Sequence, residues 1–170
     1  MQNVLAMLVE KIDMVSIWSG RILAGLIFVM GFVISYEVIS RYFFNNPTQW
    51  GMELATMVFG TYMIGGGIFA LYKKGHVKMD IFYSKWSPRT RAFADVCTFP
   101  LFILFFAVIF WKSAEYGIQS LQTLEHSHTA WGPPLYHWKL TLPIAVFFII
   151  LQGLGDLIRN LYLVVTGKEL

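Results

Sequence analysis

Glu37 and Arg41 stand four residues apart in a stretch that reads as helix, in the favourable order for an ion pair on one face, and Glu53 follows across a turn. Such a trio beside apolar segments could hold a substrate or a partner. A surface ion pair or a partner contact accounts for it more simply than a substrate site does. His126, His128 and His137 raise the question of a metal, but a structural site wants four ligands at tight spacing, and only Glu125 is near them in the sequence. Haem held between spans needs histidines on two facing helices. His76 falls on the other side of the topology derived below. Cys97 is the single cysteine, which excludes an intrachain disulfide and a Cys-x-x-Cys motif, and it reads as a small buried apolar residue. The triplet Gly65-Gly66-Gly67 has no lysine to hold a phosphate, and no G-x-S-x-G, P-loop or dinucleotide fingerprint is present. These residues offer an enzyme no nucleophile or base, and they predict no cofactor and no metal in this chain.

The elements that carry these residues are set by hydropathy. Residues 54–72 contain no Asp, Glu, Lys or Arg, and residues 22–36, 96–111 and 140–155 are equally uncharged. A hydrocarbon layer about 30 Å thick needs roughly 20 apolar residues of helix, so each run, extended by its flanks, predicts a membrane span. The fold class is all-α integral membrane: one four-helix transmembrane domain, with spans near 15–42, 48–73, 90–114 and 138–160 and short loops. With 56% hydrophobic, 17% aromatic and 14% charged residues in 170, the chain needs lipid or a large partner. Ionisable groups deep in a span usually mark ion or proton pathways. The charges here lie near the predicted span ends, which disfavours a solitary channel or proton-coupled carrier.

Of the thirteen Lys and Arg, ten fall in the two tails and the central loop, and only Arg41, Lys112 and Lys139 in the other two loops. The positive-inside bias therefore predicts that both termini and the central loop are cytoplasmic. Basicity of this kind is a topological signal and requires no nucleic acid. The first apolar run lacks a basic n-region and a small-residue cleavage site and reads as a retained anchor. Before it, Val4, Leu5, Leu8, Ile12 and Val15 share a helical face opposite Asn3, Glu10 and Asp13. That segment either lies in the interface or extends the first span. The tip between spans one and two predicts a capped start for span two, with Asn46 as N-cap, Pro47 at the first helical position and Gln49 at the third. Small residues in span two, Gly60 and Gly65 among them, allow close helix approach. Ser87-Pro88 predicts the start of span three, and an outer loop is expected from about Gly117 to Leu140.

Two strings are distinctive: R-Y-F-F-N-N-P-T-Q-W-G-M-E-L-A over residues 41–55 and G-H-V-K-M-D-I-F-Y over residues 75–83. With Ser87-Pro88-Arg89-x-Arg91-Ala92 they resemble the small, DctQ-like membrane subunit of tripartite ATP-independent periplasmic (TRAP) transporters, over nearly the whole chain. The resemblance implies a companion subunit in a bacterial inner membrane, stably paired with a large subunit that holds the transport path and the sodium sites. A soluble periplasmic binding protein would deliver an organic acid such as sialic acid or a C4-dicarboxylate. It suggests Glu37, Arg41, Asn45, Pro47, Trp50, Glu53, Gly60 and Gly65 as partner-interface candidates. His76, Lys78, Asp80, Lys85, Trp86 and Arg89 would form a cytoplasmic interfacial loop against lipid headgroups. A self-sufficient small carrier and a haem-bearing anchor of a respiratory enzyme are the competing readings.

Overall fold

The computed structural model describes residues 2–73 and 86–168. It contains four long helices: α1 (Gln2–Phe43), α2 (Gly51–Tyr72), α3 (Pro88–Gln122) and α4 (Leu135–Thr166). All four are long and apolar enough to cross a membrane. Helix is the form these sequences must take in lipid, because it alone satisfies each backbone N–H and C=O within one segment. His76, Lys78, Asp80 and Lys85 lie outside the described residues.

Charges delimit the bilayer on every helix. The uncharged interval runs from Arg21 to Glu37 on α1, Glu53 to Lys73 on α2, Asp95 to Lys112 on α3 and Lys139 to Asp156 on α4. At 1.5 Å per residue these intervals measure about 24, 30, 26 and 26 Å, close to the hydrocarbon thickness of about 30 Å. One rim carries the 44–50 and 123–134 connections, the hairpin end. The other carries the start of α1, the end of α2, the start of α3 and the end of α4, the terminal end.

The helix ends depart from the sequence expectations for local reasons. The amphipathic N-terminal segment is continuous with α1, a 42-residue helix, so of the two alternatives it extends the span. Its Val9 is buried, and Ile12 lies against Gly155 of α4. Helix α2 begins at Gly51, and Asn46 does not cap it. The Thr48 hydroxyl accepts from the Gly51 N–H at 3.1 Å, and Pro47 stays in the turn. Asn45 has φ 50°, a left-handed conformation that Asn tolerates better than most residues. Helix α3 starts at Pro88 behind Ser87, whose hydroxyl accepts from Thr90 N at 3.3 Å. It then runs past the predicted end to Gln122, because Gly117 is buried on α4, where an added Cβ would meet Leu140. Cys97 is exposed on α3, which corrects its assignment to the interior.

Helix α4 is the hub. It packs on α1, α2 and α3, and α1 also packs on α2. The core lies between α2 and α4, where Ile68, Ala145 and Ile149 are buried and Phe102 and Phe106 of α3 close over them. Two glycines set the helix separations: Gly65 of α2 meets Leu23 of α1, and Gly153 of α4 meets Phe102. Helices α1 and α3 thus flank the α2–α4 pair and leave outward faces that no described residue covers. Phe28, Phe32 and Phe43 on α1 are 81%, 74% and 82% exposed, and Leu101, Leu104 and Phe105 line the exposed side of α3.

Candidate functional site

At the hairpin end Glu37 is only 3% exposed. Its carboxylate accepts from Arg41 Nε at 3.1 Å and Nη2 at 2.6 Å, one turn along α1. It also accepts from the Thr48 backbone N–H at 3.1 Å and from the Thr48 hydroxyl. Since that hydroxyl in turn receives the Gly51 N–H, one carboxylate fixes the start of α2 against the end of α1. Trp50 stacks on Tyr36 with ring centroids 5.8 Å apart, and the Ser40 hydroxyl donates to Asn46 O at 2.5 Å. Arg41 is half exposed and has further guanidinium donors beyond the two used on Glu37.

Glu53 has a different role from its expected neighbours. It accepts from the Thr129 hydroxyl at 2.5 Å, tying the 123–134 connection to α2. Gly60 and Gly65, expected to face a partner, are used inside the chain. A Cβ on Gly60 would collide with the Trp138 ring, whose Nε1 donates to Met57 O at 3.0 Å, and Gly65 is buried against Leu23. The outer histidines serve loop structure: His126 Nδ1 bonds Gly132 O at 2.8 Å, Ser127 N donates to Pro133 O, and Tyr136 lies against both His126 and His137. Among the described residues no three His, Cys, Asp or Glu side chains gather as a metal site. Glu125, in the same connection, meets Lys139 Nζ at 2.5 Å, and that ammonium holds its carboxyl below the usual range.

A second polar cluster, at the terminal end, escaped sequence reasoning. Gln152 of α4 is fully buried; its Oε1 accepts from the Ser16 hydroxyl at 2.6 Å and its Nε2 donates to Asp13 at 3.1 Å. Arg159 pairs with Asp13 and, at 3.0 Å, with Asp156. Asn160 donates to Asp95 of α3 at 3.4 Å. The expected interfacial residue Arg89 bonds Val164 O through Nε and Nη2 at 3.0 and 2.6 Å, so it joins the α3 start to the α4 end, while Trp86 is exposed. The signal for this cluster is Gln152, a lone amide in an apolar run. Being uncharged, it stands out less than the acids and bases around it.

Chemically both clusters are struts: donors and acceptors are matched across helices at the two membrane rims, leaving the span interiors apolar. Fold and site together define a multi-pass all-α membrane protein. The chain belongs to the family described as tripartite ATP-independent periplasmic transporters, DctQ component, which it matches over residues 30–162. It is thus a small membrane subunit of a TRAP transporter, a family of transporter components. Comparison with curated proteins gives no match.

Proposed function

We propose that this chain is the non-catalytic companion of a large TRAP membrane subunit, packing against it in the bacterial inner membrane with both termini in the cytoplasm. The large subunit carries the substrate path and binds sodium, a periplasmic binding protein delivers the substrate, and the substrate is an organic acid such as sialic acid or a C4-dicarboxylate. The observation that carries this reading is the pair of uncovered apolar faces on α1 and α3, on a chain whose charged groups are engaged as struts at the membrane rims. We assign the α1 face to the partner. Phe28, Phe32 and Phe43 are 81%, 74% and 82% exposed, more than Leu101, Leu104, Phe105 and Val108 of the α3 face, which runs on to Trp111 and Lys112.

Reconstitution in liposomes tests the reading. The chain alone should show no sodium-driven uptake of an organic acid, and uptake should appear when the large subunit and the binding protein are added. Saturable transport by the lone chain would overturn it in favour of a self-sufficient carrier.

A further inference from the structure

A groove of about 410 Å³ opens between α2, α3 and α4 near the hairpin-end rim. Ile64, Ile109 and Leu142 line it together with Lys112, Tyr116 and Lys139. Three polar groups along its wall are bonded within the chain: Trp138 Nε1 donates to Met57 O, Ser113 Oγ to Phe110 O and Thr141 Oγ1 to Trp138 O. The groove therefore joins an apolar lining to two ammonium groups, each beside a carboxylate. Lys112 and Lys139 are the charges that close the uncharged intervals of α3 and α4 on this side, so they sit where headgroups meet acyl chains.

Each ammonium has one carboxylate partner among the described residues, Glu115 at 2.8 Å for Lys112 and Glu125 at 2.5 Å for Lys139. A lysine ammonium has three donors, so two remain on each. A lipid phosphate would need those donors, and it would have to sit beside Glu115 and Glu125. Its acyl chain would then enter an apolar slot that no described side chain fills.

We propose that this groove is a specific site for one glycerophospholipid of the hairpin-side leaflet, held by its phosphate between Lys112 and Lys139 with an acyl chain against Ile64, Ile109 and Leu142. The site requires the chain to span the bilayer and does not depend on the transporter partner.

The test uses the full chain in vesicles containing a phospholipid with a photoactivatable acyl chain, with crosslinks mapped by mass spectrometry. Labelling should concentrate on residues 109–116 and 138–142. Unlabelled phosphatidylglycerol should compete, and diacylglycerol, which lacks the phosphate, should not. Lys112→Gln and Lys139→Gln should each weaken competition about fivefold, the effect of one basic residue near a phosphate surface. Ile109→Trp, which fills the slot, should remove labelling there while leaving it unchanged at Leu101 and Leu104, a result that also reports an intact fold. Equal competition by diacylglycerol, or labelling of the groove no greater than at Leu101 and Leu104, would show ordinary surrounding lipid and overturn the proposal.

Discussion

Gln152 shows how one side chain can specify the register of two helices that lie far apart in the sequence. Buried in an apolar environment, an amide must find partners, and it finds them in Ser16 and Asp13 of α1. Interhelical hydrogen bonds in membrane proteins average about 0.6 kcal/mol and reach about 1.7. Ser16→Ala should therefore cost an amount in that range. Gln152→Leu removes both bonds at once and should cost about 1–3 kcal/mol, with Ser16 keeping Ile12 O and Asp13 keeping Arg159. Denaturant titration of the purified chain, followed by circular dichroism, measures both, and stabilities equal to the parent's would mean that the contact does not form. A second prediction at this scale concerns pH. Glu125 titrates below its ordinary 4.5 because Lys139 stabilises the charged form. A carboxylate whose pKa is lower folded than unfolded contributes stability above the unfolded value and loses it as pH falls through the folded one. Protection of the 123–134 backbone against hydrogen exchange should thus hold at pH 6 and decline below about 4.5. Lys139→Gln should reduce that pH dependence, the smaller contributions of Ser120 and His128 remaining, and an unchanged profile in the variant would assign the effect to another group.

At the scale of elements, α3 depends on α4 more than α1 or α2 does, and two glycines bring the pair together. An added Cβ would meet Leu140 at Gly117 and Phe102 at Gly153. Phe102 and Gly117 are about 22 Å apart along α3, far enough for independent effects. Overpacking of this kind costs about 1–3 kcal/mol, so Gly117→Val and Gly153→Val should each lower the melting temperature and the double variant should show the sum. A strongly less-than-additive double variant would mean that α3 detaches as a whole at the first substitution. The number and order of the helices were legible because four charge-free runs of bilayer length are far more apolar surface than a chain of this size could bury in water. Their ends were less so. Asn46-Pro47 looked like a helix start, but the Glu37 carboxylate recruited Thr48 across the hairpin, and the end of α3 was hidden because a glycine that reads as a breaker is required by packing. The site was half legible: Glu37–Arg41 follows from helical periodicity, whereas Glu53–Thr129 and Asp13–Gln152–Arg159 join residues 76, 139 and 146 positions apart. Periodicity reports faces within one helix and is silent on which face meets which.

In the whole molecule α1 packs on α2 and α4 and α3 packs on α4, which leaves two broad apolar faces that no described residue covers. In a complex with a large membrane subunit one should meet protein and the other lipid, and the more exposed rings of α1 favour protein there. Arg41 is bonded to Glu37 on one side and half exposed on the other, on the Glu37 side of α1 rather than among Phe28, Phe32 and Phe43. A guanidinium with spare, planar donors gains from a fixed acceptor, while lipid tails offer none. Single cysteines at Phe28, Phe32, Leu101 and Leu104 in a Cys97→Ser background, probed with a lipid-phase thiol reagent, should separate the two faces. On assembly with the large subunit the α1 positions should lose labelling and the α3 positions keep it. Arg41→Ala should weaken the complex about tenfold, as expected for losing one hydrogen bond to a charged group. Arg41→Lys should fall short of the parent because an ammonium cannot reproduce the two N–H bonds to Glu37 and still reach outward. If the α3 cysteines are shielded instead, the partner lies on the other side and Arg41 is only the lock of the hairpin.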